Sequence, residues 1–421
     1  MSGADAPAVV LYVASRFPKV TETFVVNEWL ALSGRFQMEL AALRRTREAP
    51  VHPESRRAMA RVRFLDALSQ TVVAQAFWIA RRPRAYLSVL ASVLRGSLRV
   101  SFAETAEAVV VFAEAVALAR IAVRDGVAHV HAHFANHPAT TAWIVHRLTG
   151  LPFSFTAHAN DLFVAPVLLE RKAADARFVI AISEYNRRLL LDRCPSARVE
   201  VVHCGVDPER YAPEPLEARD RDRVVCVASL SSKKGHVHLI DALALLAEGH
   251  PSIELDLVGD GPERDRIERR ARERGVAERV RLHGARSSED VRAALARARL
   301  FALPSVRLRS GRMEGIPVAL MEAMASGVPV VASRLSGVPE LVEDGVTGLL
   351  VTPGEPSALA AAMARILDDD ALAAKLTRTA RERVERSFSL AGEAQRLGDL
   401  FAESIARTGD RRPVRGQLCC S

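Results

Sequence analysis

Glu314 and Glu322, with seven residues between them, bracket a stretch whose residue types suit anion binding. Pro317 fits the first turn of a helix, where no N–H partner is needed. Leu320, Met321, Ala323 and Met324 then recur at helical spacing. Gly327 offers a left-handed cap, and Pro329 cannot continue the helix. The N–H groups of Gly315, Ile316 and Val318 would collect at the helix start, the end that attracts phosphate. Amides donate to phosphate and carboxylates accept from hydroxyls, so the pattern suits a nucleotide sugar. The alternative is a surface helix with two solvated glutamates.

Other groups that could do chemistry lie just after apolar runs. Lys234, in Ser232-Lys233-Lys234-Gly235-His236, can meet a diphosphate as a point charge; the alternative is a solvated basic turn. His158 and Asp161 follow Phe153–Thr156. His129, His131 and His133 alternate in one run and so share a strand face. A metal site is one reading of three imidazoles on a face. No convergent carboxylate or cysteine is evident in the sequence, so no metal is expected.

These groups need elements to hold them. Strand-like and helix-like runs alternate, which predicts α/β structure with parallel sheets. In the first half, strands are expected near 9–14, 38–43, 128–132, 153–156, 178–182 and 199–203. Ser15–Thr21 reads as a loop, and residues 54–124 as mostly helical. In the second half, strands are expected near 224–228, 253–258, 280–283, 300–303, 328–332 and 349–351, with helices from Pro356 to about Thr408. At 421 residues the chain is long enough for two cores. The predicted organisation is a doubly wound domain over 1–206, a Pro- and charge-rich linker over 207–222 and a second such domain over 223–390. A C-terminal helix over 391–408 packs back on the first domain, and a disordered tail covers 409–421. Two such sheets imply a cleft between them, with ligands beyond the carboxyl ends of the strands.

Composition narrows the class. A net charge of +8 favours anionic partners without singling out nucleic acid, and no nucleic-acid motif is present. The five cysteines, at 194, 204, 226, 419 and 420, lack metal spacing and fit a reduced, cytoplasmic setting. The N-terminus does not read as a signal peptide, and no apolar run is long enough to span a bilayer. Arginines from 56 to 99 interleave with Phe64, Leu65, Val72, Val73, Phe77, Trp78 and Leu90. Such helices either lie on an anionic membrane or face a core with solvated arginines.

The run Met313–Ala332 closely resembles the donor-site signature of family 4 retaining glycosyltransferases of the GT-B fold. The His158–Asp161 segment resembles that family's active-site histidine run. Ser15–Phe24, His131–Ala135 and Val202–Asp207 resemble its colanic-acid and exopolysaccharide branch. The resemblance implies two Rossmann-like domains facing each other across a cleft. It implies transfer of a hexose-like sugar from a nucleoside diphosphate, with retention and without metal or other cofactor. The acceptor would be a glycan, lipid-linked or small molecule, and the location cytoplasmic or on the inner membrane face. His158 and Glu314 would be catalytic. Lys234, Gly315, Ile316, Pro317, Val318 and Glu322 would bind the donor, and Arg16, Thr21, His133 and Asp161 would lie on the acceptor side. The family's diphosphate arginine is absent, since Ser229 stands in its place, and Arg312 is the candidate replacement. The alternatives are a non-catalytic partner subunit and a sugar-nucleotide epimerase or hydrolase of the same fold.

Overall fold

The structure is a computed structural model that describes residues 6–19, 22–46, 53–65, 68–158, 160–163 and 166–409. Thr21, the two C-terminal cysteines and the expected tail from 410 onward lie outside the described residues. The chain divides into two compact units. The first comprises Met1–Ile182, Asn186–Val202 and Ala394–Ser421, and the second Ser183–Tyr185 and His203–Glu393.

The first unit is built on a seven-stranded sheet: β1 (Val9–Phe17), β2 (Gln37–Arg45), β3 (Val62–Phe64), β4 (Val127–His133), β5 (Phe153–Ala157), β6 (Phe178–Ala181) and β7 (Val199–Val201). The order is β3-β2-β1-β4-β5-β6-β7 and every pairing is parallel. The order reverses direction at β1/β4, the kind of switch point at which doubly wound sheets bind ligands. Apolar side chains fill both faces. Val13, Val130 and Phe155 pack with the helix Phe102–Arg124. Tyr12, Trp29 and Leu40 pack with Leu397 and Phe401 of the helix Leu390–Gly409.

The second unit has six strands: β8 (Asp220–Val227), β9 (Glu254–Val258), β10 (Val280–Gly284), β11 (Ala298–Leu303), β12 (Val330–Ser333) and β13 (Leu349–Val351). Their order is β10-β9-β8-β11-β12-β13, again parallel throughout. The core runs through Val224, Leu257, Phe301, Met324 and Val331.

Three local expectations need correction. Ser15, Arg16 and Phe17 extend β1 rather than forming a loop, because Arg16 and Phe17 keep their register against Arg44 and Arg45 of β2. β3 interrupts the expected helical stretch as a short edge strand, with Arg63 tied to Asp125 at 2.7 Å. β8 begins at Asp220, inside the expected linker. Its charged start is tolerated because Arg223 donates to Asp220, Glu254 and Asp256 at 2.9, 3.1 and 2.6 Å.

The basic amphipathic region holds both buried and exposed apolar side chains. Leu65, Trp78 and Tyr86 are buried, whereas Val72, Ile79, Leu87, Leu98, Val100 and Phe102 are exposed, Phe102 at 87%. No helix among the described residues is long and apolar enough to cross a membrane.

Candidate active site

In the second unit, β8 ends in a turn, Ser232–Lys234, that Gly235 closes with φ +73°. A Cβ at Gly235 would lie 1.9 Å from the Pro304 carbonyl oxygen, so only glycine fits this approach. The Val306 N–H donates to the Lys233 carbonyl at 2.8 Å, which fastens the turn to the loop after β11. Both lysines reach one carboxylate: Lys233 Nζ meets Glu314 Oε1 and Lys234 Nζ meets Glu314 Oε2. Burial pushes the Glu314 carboxyl up, but the charges of Lys234 and Lys233 outweigh it and hold the group at about 2. Removing one partner of such a buried pair leaves the other uncompensated.

The loop after Glu314 is tied down by Ser336, whose hydroxyl donates to the carbonyls of Glu314 and Gly315 at 2.6 and 3.1 Å. Ser336 has φ +48°, a left-handed conformation uncommon for a residue with a side chain. Gly315, Ile316 and Pro317 are buried. The helix spans Val318–Ala325, with Pro317 as the residue before it rather than in its first turn. Its first N–H groups have no helical acceptor by position. Glu322, within the helix, accepts from the Tyr211 hydroxyl at 2.9 Å. Burial raises the Glu322 carboxyl, opposed by that hydrogen bond and by Arg292. His236 opens the helix that follows the Ser232–Lys234 turn, His236–Leu246, and is buried with neither ring nitrogen hydrogen-bonded among the described residues. Burial, with Lys234 nearby, lowers it to about 4. Arg312 is exposed, and its carbonyl accepts the Leu308 N–H at 2.9 Å.

In the first unit, His158 follows β5 and is buried. Asp161 Oδ2 accepts the N–H groups of Ala135 and His158 at 2.6 and 3.1 Å. Asp161, expected on the acceptor side, therefore braces the loops after β4 and β5. Burial raises its carboxyl to about 6, against those hydrogen bonds and Lys172. Lys172 is itself buried and donates to the Ala135 carbonyl at 2.5 Å and to Thr140 Oγ1 at 3.2 Å. Burial lowers its ammonium to about 7. The His158 ring lies against Phe24, Phe134 and His133 at 5.0, 4.4 and 5.6 Å between centroids. Phe134 holds φ +78°, rare for a bulky residue and a strain that clusters at functional sites. Burial above all holds His158 well below the usual histidine range, so it is neutral. Arg16 is exposed near the end of β1.

His129, His131 and His133 are buried on one face of β4. A carboxylate does converge there, contrary to the sequence reading: Glu28 Oε1 lies 3.1 Å from His133 Nε2. Glu28, His131 and His133 are close enough to share a metal ion. However, His131 has both nitrogens engaged, with Ser154 Oγ at 2.8 Å and Thr156 Oγ1 at 3.0 Å. An ion would have to break one of these bonds. A second cluster, Glu104, Glu107 and His137, lies nearer the surface.

Sequence reasoning missed Lys233, Tyr211, Ser336 and Glu28. The Lys233–Lys234 doublet was a visible signal. The other three are remote in sequence from the groups they touch, and nothing local marks them.

Residues 208–383 match the family described as glycosyl transferases group 1, and residues 51–210 match glycosyltransferase family 4. The chain is 33% identical to the amylovoran biosynthesis glycosyltransferase AmsK of Erwinia amylovora, over 55% of this chain and 59% of that protein. It is 30% identical to the D-inositol 3-phosphate glycosyltransferase of Corynebacterium glutamicum, over 66% of this chain and 72% of that protein. The matches span 49–59% of the length of the first three curated relatives. Among solved structures, Anabaena Alr3699/HepE in complex with UDP-glucose superposes with a TM-score of 0.69 at 20% identity, covering 96% of this chain and all of that one.

Proposed function

The chain belongs to glycosyltransferase family 4 and has the GT-B fold, and from that premise we propose that it moves a hexose-like sugar from a nucleoside diphosphate to an acceptor, with retention, in exopolysaccharide or cell-envelope glycan synthesis. The observation that carries this reading is the pair of ammonium groups on one buried carboxylate beside a helix N-terminus. Two cations match a diphosphate, and Glu314 holds their place until the donor arrives. Once the diphosphate takes the lysines, Glu314 is released to accept donor sugar hydroxyls. Lys233, Lys234 and the amides of Gly315–Val318 then carry the charge that grows on the leaving diphosphate, the electrostatic stabilisation that most lowers such barriers. Glu322 takes the ribose hydroxyls with its free oxygen, and His158 contacts the donor sugar.

Lys233 supplies the second cation at a clamp where Ser229 replaces the family's arginine, and Arg312 is a further candidate for that role. AmsK acts in amylovoran biosynthesis by its name, which supports a glycan product, and HepE was solved with UDP-glucose, which supports a nucleotide-sugar donor. Arg16, Thr21 and His133 belong to the acceptor side of this reading. The exposed apolar side chains from Val72 to Val110, among exposed Arg84, Arg95 and Arg99, suit an anionic membrane surface and a lipid-linked acceptor.

The test is nucleoside diphosphate release from UDP-, GDP-, ADP- and dTDP-sugars, with and without glycan or polyprenyl-linked acceptors. Acceptor-dependent release supports transfer. Release that ignores the acceptor favours the epimerase or hydrolase reading, and no release from any donor favours the partner subunit.

A further inference from the structure

In the first unit, four polar side chains form a chain whose hydrogens can be placed from chemistry. The Tyr12 hydroxyl donates to Glu28 Oε1 at 2.7 Å. Burial, then Glu28, raises the Tyr12 hydroxyl well above its ordinary value, so it keeps its proton. The same Glu28 oxygen lies 3.1 Å from His133 Nε2. A carboxylate accepts and does not donate, so the hydrogen of this contact sits on His133 Nε2. With a single ring hydrogen, on Nε2, the other nitrogen is a bare acceptor. That nitrogen, His133 Nδ1, lies 3.3 Å from His158 Nε2. His158 must therefore carry its hydrogen on Nε2, which leaves Nδ1 as a lone pair.

The surroundings hold this order in place. His133 is 1% exposed, and its ring lies 5.2 Å from that of Tyr12. Its strand neighbour His131 is fixed through both nitrogens by Ser154 and Thr156. Phe24 and Phe134 pack on His158 and offer no competing hydrogen-bond acceptor. We infer that Glu28 and His133 are positioning residues that fix His158 in its Nε2-protonated tautomer and present its Nδ1 as an acceptor for a ligand hydroxyl. His158 then orients a hydroxyl rather than donating to a phosphate or carbonyl. The identity of that ligand rests on the donor-sugar reading above, whereas the tautomer does not.

The experiment is a long-range proton–nitrogen correlation spectrum of the full chain labelled with [15N]histidine at neutral pH. His158→Asn assigns the resonances. The wild-type protein should show the Nε2-protonated pattern at His158, and an Nδ1-protonated pattern overturns the inference without any variant. His133→Phe fills similar space without an acceptor and should give a tautomer mixture at His158. An unchanged tautomer in that variant also overturns it. In assays with a transferred donor, His133→Phe should lower kcat roughly tenfold or more and leave nucleoside diphosphate affinity unchanged. An equal loss in both would make His133 merely structural and contradict the proposal. If the tautomer is as stated but no sugar is transferred, the donor reading fails and the positioning of His158 stands.

Discussion

Lys234 donates to one oxygen of Glu314, within a unit whose own strands and loops hold both residues. The contact joins a turn after β8 to a loop after β11, eighty residues along the chain. Lys233 occupies the other oxygen. A carboxylate spanned by two ammonium groups is a poor structural choice for its own sake, because desolvation offsets much of the attraction. It is a sensible resting state for a diphosphate site.

Lys233 should therefore matter more than Arg312 for nucleotide affinity. A charge-assisted hydrogen bond contributes about 1.5–3 kcal/mol, or roughly ten- to a hundredfold in Kd. Lys233→Ala should weaken nucleoside diphosphate binding by that factor in calorimetry, and Ser229→Arg should restore much of it. If Arg312→Ala causes the larger loss, Arg312 is the compensating cation and Lys233 is not.

Much of this was legible in the sequence, and the exceptions have physical causes. Glu314, Lys234 and His158 lie beside strand ends or helix starts and Glu322 within the helix Val318–Ala325, positions that local pattern marks. Asp220-Arg221-Asp222-Arg223 reads as a solvated linker in the sequence; the ion pairs of Arg223 with Glu254 and Asp256 and of Arg221 with Asp370 stabilise a strand there. Glu28 carries no local signal in the sequence. Its role depends on a contact to His133 across 105 residues, which no local spacing encodes. Asp161 reads as an acceptor-side residue in the sequence; in the fold its Oδ2 accepts the N–H groups of Ala135 and His158, contacts that no local spacing encodes.

Acid should destabilise the protein earlier than its carboxylates alone would. His129, at about 3, His236, at about 4, and His131 and His158, well below the usual range, stay neutral in the fold. Unfolded, each takes a proton below about pH 6.5. The unfolded chain then binds more protons, so stability falls as pH drops. Asp161, raised to about 6, and the raised Glu322 take up protons in the fold and oppose this. The net is roughly two to three protons, about 3–4 kcal/mol per pH unit once pH is well under 6. Melting temperature should drop steeply from pH 6.5 to 5, and a flat profile over that window would show that these imidazoles are not held neutral.

Membrane binding should be electrostatic and apolar together. Co-sedimentation with anionic vesicles should weaken as salt rises, since the Debye length is about 10 Å at 0.1 M. Reversing Arg84, Arg95 and Arg99 to Glu, or replacing the exposed Phe102 with Ser, should each reduce it. No co-sedimentation of the wild-type chain at low salt would remove the membrane claim.

Glu314→Gln separates binding from chemistry. The carboxylate competes with the diphosphate for Lys233 and Lys234, so the variant should be less stable when empty. It should bind bare nucleoside diphosphate at least as well as wild type. Transfer should fall by about 10²–10³-fold, the scale of losing one charge-directed contact in a transition state. Wild-type turnover in Glu314→Gln would remove its catalytic assignment.

The central claim, a nucleotide-sugar site built on Lys233, Lys234 and Glu314, is tested most directly by thermal unfolding against UDP-, GDP-, ADP- and dTDP-sugars. One donor, at about a hundred times its Kd, should stabilise the wild-type chain by about 2.7 kcal/mol. The Lys233→Ala/Lys234→Ala variant should show no shift at the same concentration. If no donor shifts the wild-type protein, or if the double variant responds as wild type does, the site is not where this account puts it.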